Sequence, residues 1–359
     1  MKEEERMEGK MKGVTLPGGD RVEFREYDIP KPGYGQVLVR MKCSTICGSD
    51  IRCIYHEHVG EGPEGYQGVI AGHEPCGQIV EEGPGLKRFR KGDRVIIYHI
   101  SGCGVCHECR QGYMISCTSP KRAAYGWQRD GGMAEYILAD EKDLVALPDE
   151  LSYADGAQVA CGFGTVYEGI EKVGVSGNDA VLVVGLGPVG LACLMLCKAM
   201  GADKLIGIDT NEGRLKIAKD LGLADYVFLS DSHAVENVLS VTGGEGCERT
   251  FDCSASNPGR VTAIKAARRW GRICFIGEGH DVAFEPSPDL LHPQKTIYGS
   301  WVTSIWKMED LVERLVRWNL HPDVLITHRF PLDKADEAYA LMASGKCGKV
   351  AVCQDEELK

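Results

Sequence analysis

Four cysteines within one short segment have the type and spacing of a closed metal site. Spacers of two, two and seven residues separate Cys103, Cys106, Cys109 and Cys117, and glycines lie among them in the segment GCGVCHECRQGYMISC. Four thiolates can surround one tetrahedral zinc ion and leave no coordination position open, which is typical of a structural site. An iron–sulfur cluster, four free thiols and a zinc ribbon that binds nucleic acid are the alternative interpretations.

Three other candidate metal ligands are dispersed along the chain. Cys47 lies in CGSD, His73 in GHE and Cys161 in ACG. Two thiolates and one imidazole would hold a zinc ion with its fourth position open, as catalytic zinc sites do. Singly, Cys161 could be a core cysteine and His73 a loop histidine. Their occurrence together with the four-cysteine segment and a nucleotide-binding loop favours the catalytic interpretation.

A glycine-rich loop with the pattern G-x-G-x-x-G follows an apolar run and opens a helical pattern. The strand–turn–helix context, with Asp209 nineteen residues after the last glycine, is that of a dinucleotide-binding fold. The glycines permit the tight turn, the approach of a pyrophosphate and close helix packing, while the helix N-terminus attracts the phosphates. A glycine-rich turn without a ligand is the alternative. The residues of the loop expected to bind the cofactor are Gly185, Gly187, Pro188, Val189 and Gly190.

Asp209 predicts NAD rather than NADP as the cofactor. Its carboxylate would accept hydrogen bonds from the ribose hydroxyls of the adenosine. It would also repel a 2′-phosphate by roughly 4 kcal/mol at a separation of about 4 Å and an effective dielectric of about 20. Arg214 complicates this prediction, because an arginine can receive the 2′-phosphate. Arg214 could equally be a solvated helix residue or lie along the adenine.

The elements that must position these residues change in kind near residue 163. Residues 13–160 have the pattern of a β-rich domain, with short alternating runs between glycines and prolines. Beyond residue 163, apolar strands alternate with helices, which predicts parallel strands with right-handed crossovers. The predicted strands of this region are 180–184, 204–208, 225–229, 249–253, 272–276 and 296–299, and the predicted helices are 188–200, 212–221, 232–241 and 259–268. In the tail, 302–359, amphipathic helices are predicted over 308–318 and 334–344.

The composition limits the class of protein. With 359 residues, of which 43% are hydrophobic and 26% charged, the chain has ordinary globular usage and room for two or three domains. A formal charge of −11 argues against nucleic acid as a partner. No apolar run is long enough to predict a membrane span, and the charged first twelve residues do not resemble a secretion signal. We therefore expect a cytoplasmic protein in which most of the 16 cysteines are small buried residues.

Taken together, these motifs resemble those of the zinc-dependent medium-chain alcohol dehydrogenases. The resemblance covers essentially the whole chain, from about Gly13 to Cys353. Its carriers stand in order: ICGSD (46–50), AGHE (71–74), KGDRV (91–95), the four-cysteine segment, DGGMAEY (130–136), ACGFGT (160–165), VVGLGPVGL (183–191) and GID (207–209).

This resemblance implies an α/β protein with a GroES-like, β-rich catalytic domain and a Rossmann domain built on a doubly wound parallel sheet. The expected boundaries are 1–162 for the catalytic domain, with a structural zinc lobe at about 101–118, then 163–301 for the NAD-binding domain and 302–359 for the return to the catalytic domain. The family also implies an active site between the domains, two zinc ions per chain, NAD, and a homodimer or homotetramer joined through the Rossmann sheets.

The resemblance also assigns roles to single residues. Cys47, His73 and Cys161 match the ligands of the catalytic zinc, and the four-cysteine segment matches the structural site. Among the catalytic residues, Asp50 matches the carboxylate that orients the histidine ligand, Ser49 the hydroxyl that touches the substrate oxygen, and Glu74 a residue that in some members enters the zinc shell. Besides the glycine loop, the positions that match the cofactor site are Thr165, Asp209, Arg214, Ile276, Gly277, Glu278, Ser300, Trp301 and Val302.

Arg52 departs from the family pattern. Many members carry a histidine five residues after the first ligand cysteine, where it ends the proton relay. An arginine stays protonated and cannot be that base. Proton release would then run through water, through His56 or His58, or through another group. Cys161, in place of a carboxylate as third ligand, also separates the chain from the threonine- and sorbitol-type members.

We expect reversible, NAD-dependent oxidation of a secondary alcohol to a ketone, with Ser49 taking the hydroxyl proton. A polyol, sugar or cyclitol is the expected substrate, because the segments expected to line the pocket are rich in donors and aromatic faces. The alternatives are a simple alcohol or a threonine-like amino alcohol, a zinc-free quinone-reductase-like enzyme, and a non-catalytic zinc- or nucleotide-binding protein. Some of the expected lining residues could instead face a subunit interface. The full set of expected lining residues is Arg52, Tyr55, His56, His58, Tyr98, His99, Tyr125, Trp127, Gln128, Trp301 and Trp306.

Overall fold

The computed structural model describes residues 9–60 and 62–358, so the charged start of the chain lies outside the described residues as far as residue 8. The described residues form two compact units. Unit 1 comprises the residues up to Gly164 together with those from Thr303 onward, and unit 2 comprises Thr165–Val302. Within the described part of the chain, no helix has both the length and the apolar character that crossing a bilayer requires.

Seventeen strands are found among the described residues. They are β1 (Lys10–Thr15), β2 (Glu23–Asp28), β3 (Gln36–Thr45), β4 (Pro75–Glu82), β5 (Arg94–Ile97), β6 (Ile100–Ser101), β7 (Ala123–Ala124), β8 (Tyr136–Asp140), β9 (Leu144–Ala146), β10 (Ala180–Val184), β11 (Lys204–Asp209), β12 (Tyr226–Leu229), β13 (Cys247–Asp252), β14 (Ala267–Phe275), β15 (Thr296–Gly299), β16 (Ile326–Phe330) and β17 (Lys349–Cys353).

The helices are of three kinds. The α-helices are α1 (Gly48–Asp50), α2 (His107–Arg110), α3 (Tyr153–Gln158), α4 (Gly164–Val173), α5 (Pro188–Ala199), α6 (Glu212–Asp220), α7 (Ala234–Val241), α8 (Asn257–Ala266), α9 (Ile305–Trp318) and α10 (Ala335–Ser344). The π-helical turns are Ile51–Tyr55, Val159–Phe163 and Ser287–Leu291, and the 3₁₀ turns are Gly62–Glu64, Met114–Ser116, Glu141–Asp143, Pro322–Leu325, Leu332–Lys334 and Asp355–Glu357.

Unit 1 is built on a seven-stranded sheet in the order β16-β17-β3-β4-β5-β9, with β8 also paired to β3. The long strand β3 runs antiparallel to β4, β8 and β17. Its side chains alternate between two apolar clusters, because Leu38 lies in one and Val37, Val39 and Met41 lie in the other. Burial on both faces fixes the register of this strand, since a slip of one residue would exchange the two faces.

Unit 2 is built on a six-stranded parallel sheet in the order β12-β11-β10-β13-β14-β15. In chain order this is 3-2-1-4-5-6, the order of a Rossmann fold, which places a switch point between β10 and β13. Apolar side chains of β10, β11, β13 and α8 share one core cluster. The predicted fold class, a β-rich domain with a doubly wound parallel sheet, is therefore confirmed.

Two element boundaries differ from the prediction by more than two residues. β14 begins at Ala267 instead of residue 272, because Ala267 already pairs with Cys247 of β13. The arginine-rich residues that follow are mostly exposed, so the sequence there shows no alternation of apolar and polar residues. α9 begins at Ile305 instead of residue 308, where the Ser304 hydroxyl accepts a hydrogen bond from the backbone N–H of Lys307. The helical stretch of α3 and α4 was not predicted.

Candidate active site

The four-cysteine segment brings its sulfur atoms together, all within 4.8 Å of one another. Cys103 and Cys109 have sulfur atoms 4.0 Å apart, and Cys106 and Cys117 have theirs 3.8 Å apart. A tetrahedral zinc site with bonds of about 2.3 Å has sulfur–sulfur edges of roughly 3.8 Å. Hydrogen bonds from the backbone N–H groups of Val105 and Cys106 lower the pKa of Cys103 to about 6, which favours a thiolate. Donor type and spacing therefore fit one zinc ion.

The dispersed candidates also meet, although they come from three parts of unit 1. The ligand atoms of Cys47, His73, Glu74 and Cys161 lie within 4.8 Å of one another. Strand order explains the first three, because Ser44 near the end of β3 pairs with Pro75 at the start of β4. Cys47 follows β3 and His73 precedes β4, so antiparallel pairing places both at one end of the sheet.

Cys161 reaches the site from a π-helical turn. Val159–Phe163 lies between α3 and α4, where it widens an otherwise continuous helical segment. π-Helical turns inside helices occur frequently at functional sites, since the extra residue changes the direction of the side chains. A second such turn, Ile51–Tyr55, follows α1 directly and carries Arg52 half-buried.

Asp50 joins two of the candidate ligands through one fully buried carboxylate. Its Oδ1 lies 2.7 Å from Nδ1 of His73, and its Oδ2 accepts a hydrogen bond of 2.9 Å from the backbone N–H of Cys47. Burial lowers the pKa of His73, but the charges and hydrogen bonds of Asp50 and Cys47 together outweigh burial, so that the pKa is raised. With Nδ1 engaged, Nε2 of His73 is the nitrogen available to a metal.

The two thiols of this set are electrostatically coupled. A hydrogen bond with Cys161 holds the pKa of Cys47 well below its usual value, against the opposing effect of burial. The same hydrogen bond and burial raise the pKa of Cys161. Cys47 is therefore the more readily deprotonated thiol of the pair.

Glu74 offers a carboxylate oxygen to the same cluster. Its Oε2 accepts hydrogen bonds of 2.5 Å from the Thr45 hydroxyl and from the buried Lys349 ammonium group, whereas its Oε1 is buried without a hydrogen-bond partner. Burial raises the pKa of Glu74, and Lys349 opposes that rise. A buried oxygen without a donor, beside two sulfurs and an imidazole, fits a bound cation.

Sequence reasoning missed Lys349 and Thr45, the two partners of Glu74. Lys349 is 2% exposed and begins β17, an otherwise apolar strand of sequence KVAVC. A lysine at a buried strand position is the only signal that could have drawn attention to it, since lysine is almost never fully buried unless paired. Ser49, which was predicted, lies on α1 between Cys47 and Asp50 and is half-buried.

The predicted pocket-lining residues separate into two groups. The rings of His99 and Trp127 lie close to the candidate ligand His73, with centroids 5.2 Å and 6.3 Å away. Tyr98 and Tyr125 are instead fully buried, and their hydroxyls bond to the Thr303 carbonyl and the Asp143 carboxylate. The expectation that these two tyrosines line a pocket was wrong, because both serve the packing of unit 1.

Four others of the predicted lining residues are engaged elsewhere within unit 1. His56 pairs with Asp20, and His58 bonds to the Leu16 carbonyl oxygen. The Tyr55 ring stacks on Tyr339, and Gln128 bonds to backbone atoms of residues 64 and 124. Trp306 is about half exposed and packs beside Gly112 of the four-cysteine lobe.

In unit 2, the glycine loop lies between β10 and α5, and its glycines serve two different structural purposes. Gly185 has a φ of +89°, and a Cβ there would lie 2.6 Å from Ser254, while a Cβ on Gly190 would lie 1.8 Å from the Gly185 carbonyl oxygen. Gly187 is the N-cap of α5, and a Cβ there would meet only the Arg214 guanidinium, at 3.8 Å. Two glycines therefore permit close packing, and Gly187 keeps the approach to the helix N-terminus open.

Asp209 ends β11 beside this loop and is buried. Its Oδ2 accepts a hydrogen bond of 2.5 Å from the backbone N–H of Leu186, and its Oδ1 one of 2.7 Å from that of Asn211. Arg214 lies 3.9 Å from the same carboxylate, and its buried Nε has no hydrogen-bond partner. The charge of Asp209 is therefore partly offset by a cation, which weakens its repulsion of a 2′-phosphate.

The remaining predicted cofactor residues lie at strand ends of unit 2 or on α4. Ile276 and Gly277 follow β14, where the Arg260 guanidinium donates to the Gly277 carbonyl at 2.8 Å and to that of His280 at 2.6 Å. Ser300 follows β15 and is buried, whereas Trp301 is 54% exposed. Thr165 begins unit 2 and is half-buried.

Comparison with known proteins gives two family matches. The model described as the alcohol dehydrogenase GroES-like domain matches residues 33–149, and that described as zinc-binding dehydrogenase matches residues 188–317. An uncharacterized zinc-type alcohol dehydrogenase-like protein of Escherichia coli (strain K12) is 52% identical, over 95% of this chain and 98% of its own. An L-threonine 3-dehydrogenase of Pyrococcus horikoshii is 32% identical, over 94% and 96%.

Solved structures share the fold. The crystal structure of an alcohol dehydrogenase from Escherichia coli CFT073, in complex with NADH, superposes with a TM-score of 0.85 at 25% sequence identity. The match covers 96% of this chain and 99% of that one.

Proposed function

The chain belongs to the zinc-dependent medium-chain alcohol dehydrogenase family, and from that premise we propose that it catalyses the reversible, NAD-dependent oxidation of a secondary alcohol to a ketone. The observation that carries the proposal is the ligand set of unit 1. Cys47, His73 and Cys161 bring two sulfurs and an imidazole within 4.8 Å of one another, and three such ligands leave a fourth position for a substrate oxygen.

Cys47, His73 and Cys161 would hold the zinc ion, which when bound supplies a Lewis acid that lowers the pKa of an alcohol hydroxyl. Asp50 fixes the imidazole through Nδ1 and the backbone of Cys47 through its other oxygen. The Ser49 hydroxyl, two residues from Cys47, receives the hydroxyl proton of the substrate and passes it on. The glycine loop and Asp209 would hold NAD, which when bound supplies the hydride acceptor.

The proton leaves the site to solvent rather than through Arg52. A guanidinium stays charged at ordinary pH and has no acceptor lone pair. His56 and His58 are engaged with Asp20 and with the Leu16 carbonyl, on the surface of unit 1. Arg52 is accordingly assigned to binding, where its charge can attract a polar group of the substrate or a phosphate of the cofactor.

His99 supports a polyhydroxylated substrate. It is 5% exposed, burial lowers its pKa to about 3, and its Nδ1 lies 2.8 Å from the Ala160 carbonyl oxygen. The imidazole is therefore neutral with the proton on Nδ1, and Nε2 is a hydrogen-bond acceptor. A polyol, sugar or cyclitol has a second hydroxyl that can donate to this acceptor, whereas a simple alcohol has none.

A threonine-like amino alcohol is the second candidate. The similarity to an L-threonine 3-dehydrogenase along nearly the whole chain favours it, and Arg52 would meet the carboxylate of such a substrate. One feature argues against this candidate. The third ligand is the thiol of Cys161, whereas threonine-type members of the family use a carboxylate there.

We further propose two zinc ions per chain, a preference for NAD over NADP, and a homodimer or homotetramer in the cytoplasm. The four-cysteine lobe and the open set each supply donors for one ion. In the described residues, β15 is an edge of the parallel sheet with an unpaired side, and a second copy could continue the sheet there. None of the 16 cysteines, which all lie in the described part of the chain, is in a disulfide bond, which is the state that a reducing compartment favours.

A substrate screen tests the proposal. The zinc-loaded enzyme is incubated with NAD and, separately, with polyols, inositols, sugars, L-threonine, phosphorylated polyols and simple alcohols, and NADH is followed by absorbance. Turnover of a polyhydroxylated secondary alcohol is expected. Turnover of L-threonine alone would select the second candidate, and no turnover of any alcohol by enzyme that contains two zinc ions would contradict the proposal.

Two variants connect the activity to the residues. Cys161→Ser should remove one zinc ion and the activity together. His99→Phe should keep both zinc ions but lose the preference for polyols over simple alcohols by roughly tenfold or more. An unchanged preference in His99→Phe would assign the substrate hydroxyls to other residues.

A further inference from the structure

Two cysteines outside both metal sites face each other across the main sheet of unit 1. Cys43 on β3 and Cys353 on β17 are partners in the antiparallel register, and their sulfur atoms are 2.8 Å apart. Both are buried, with 1% and 2% of their surface exposed. Neither the zinc ligands nor the proposed reaction uses them.

The backbone at this position matches the requirements of a disulfide bond. The Gln354 N–H donates to the Lys42 carbonyl directly beside the pair, and the Ile46 N–H donates to the Val350 carbonyl beyond Thr45 and Ala351, two positions along the ladder. Cys43 and Cys353 therefore form a non-hydrogen-bonded pair, for which Cα atoms lie about 4.5 Å apart and side chains approach closely. Disulfides accept Cα separations of roughly 4.4–6.8 Å, so that the bond can form without moving either strand.

A third cysteine, Cys76, defines which pair reacts. It is the register partner of Cys43 on the other side, on β4, beside a bulge in the β3–β4 pairing. Its thiol donates a hydrogen bond of 3.3 Å to the Val95 carbonyl, whereas the Cys43 sulfur contacts that of Cys353. The orientation of the thiols favours Cys353 as the partner of Cys43.

We propose that Cys43 and Cys353 are an oxidation site at which a reversible disulfide bond links β3 to β17. The site lies next to the candidate active site along both strands, because β3 ends at Thr45, two residues before Cys47, and β17 begins at Lys349, the partner of Glu74. The bond would join residues 310 positions apart and thereby restrict the unfolded chain, which stabilises the folded unit.

The oxidant is a hydroperoxide, and the reaction balances without the cofactor. The Cys353 thiolate attacks one peroxide oxygen and the O–O bond breaks, giving a sulfenic acid and, after protonation of the leaving group, water. The Cys43 sulfur then attacks the sulfenic sulfur, the S–O bond breaks and a second water leaves. Two thiols are oxidised to one disulfide while one hydrogen peroxide is reduced to two waters. Burial raises the pKa of Cys43, so the oxidation should be slow and should need transient opening near the end of β17.

The experiment maps disulfides in the zinc-loaded enzyme after treatment with hydrogen peroxide. Remaining thiols are alkylated in denaturant without reductant, and peptides are identified by mass spectrometry. We expect a Cys43–Cys353 cross-linked peptide that disappears after treatment with dithiothreitol, and an unfolding temperature several degrees higher in the oxidised protein. Cys353→Ser should lose both the peptide and the stabilisation, and the matched control Cys76→Ser should keep both.

Two results would overturn the proposal. One is alkylation of both Cys43 and Cys353 at peroxide concentrations that oxidise the half-buried Cys103 and Cys106 of the four-cysteine segment. The other is a cross-link from Cys43 to Cys76. If Cys353→Ser does not fold, Cys353→Ala provides the same comparison, because it keeps the small apolar volume of the buried thiol.

Discussion

The carboxylate of Asp50 shows how single atoms organise the candidate active site. One oxygen contacts Nδ1 of His73 and the other accepts from the backbone N–H of Cys47, so that one carboxylate orients two candidate ligands. Residues outside the candidate ligand set hold other groups of the site. The Thr45 hydroxyl donates a hydrogen bond to Glu74, and the Ala160 carbonyl oxygen lies beside Nδ1 of His99. Such surrounding contacts fix the orientation of a ligand and raise its basicity.

Ser49 should carry the first proton transfer. We expect Ser49→Ala to lower kcat by about 10²–10⁴-fold, because it removes both a hydrogen bond to the substrate oxygen and the first relay step. Ser240→Ala, an exposed change on α7, is the control and should leave kcat unchanged. Nearly full turnover in Ser49→Ala, with hydride transfer shown to be rate-limiting by a deuterium isotope effect, would refute the relay assignment.

Arg52 should act in binding and not as the base. Arg52→Ala should raise KM and leave the shape of the pH–rate profile unchanged, since a guanidinium does not titrate in this range. Arg52→His should add an inflection between about pH 6 and 8, as expected for an imidazole. Loss of the basic limb of the profile in Arg52→Ala would return Arg52 to the proton path.

Asp209 and Arg214 should set the cofactor preference between them. Asp209→Asn, which removes the charge and retains one acceptor oxygen for the backbone N–H groups, should narrow the preference for NAD by roughly 1–3 kcal/mol. Arg214→Ala should widen it, because the cation 3.9 Å from Asp209 would be lost. The measurement is kcat/KM with each cofactor, and a wild-type enzyme that uses NADP as well as NAD would contradict the prediction.

At the scale of elements, the ends of strands and the π turns bring the site together. β3 and β4 deliver Cys47, His73 and Glu74 to one end of the sheet, and β17 adds Lys349 from the far end of the chain. The π turn between α3 and α4 supplies Cys161. In unit 2, β10 and α5 form the corresponding junction for the glycine loop, where Pro188 occupies the first turn of the helix.

Lys349 should stabilise unit 1 through its buried pair with Glu74. Lys349→Met should lower the free energy of unfolding by about 3–5 kcal/mol, because it leaves a buried carboxylate without its counter-charge. Lys349→Arg keeps the charge and should lose less, and the double variant with Glu74→Gln should recover part of the loss. Urea unfolding of the wild type, the three single variants (Lys349→Met, Lys349→Arg and Glu74→Gln) and the double variant measures these differences, and additive effects of Lys349→Met and Glu74→Gln would show that the pair is not coupled.

At the scale of the whole molecule, both candidate zinc sites lie in unit 1 and the glycine loop lies in unit 2. The two candidate metal sites differ in kind. The four-cysteine segment offers four sulfurs, which would close around one ion, whereas the three ligands Cys47, His73 and Cys161 would leave a position for the substrate. Metal binding and folding are coupled at a closed site, because losing the ion also unfolds the segment that surrounds it. We therefore expect the ion at the closed site to be released at a higher chelator concentration than the ion at the open site.

The two zinc ions should therefore differ in lability. We expect a chelator to remove about one zinc per chain together with the activity, while the circular dichroism and the unfolding transition persist. Stronger chelation should remove the second ion and unfold the lobe. The readouts are zinc content, turnover and circular dichroism on the same samples, and simultaneous loss of activity and fold at every chelator concentration would contradict the assignment of two sites.

The sequence alone determined the features that depend on neighbours along the chain. The four-cysteine segment, the strand–glycine loop–helix unit and the alternation of strands and helices after residue 163 depend on local spacing, and the elements follow that spacing closely. β10 and β15 have the predicted bounds, because their apolar runs end at turn residues. Motifs in order along the chain also sufficed to indicate the family.

Only the tertiary structure decided which distant side chains share an environment. Lys349 and Glu74 are 275 positions apart, and Cys43 and Cys353 are 310 apart, so no local pattern could pair them. In the sequence, Tyr98 and Tyr125 cannot be told apart from aromatic residues that line a pocket. Their burial and their hydrogen-bonded hydroxyls assign them to the core. Burial, charge pairing and strand register arise when the chain folds on itself, and they determine the chemistry of a residue as much as its type does.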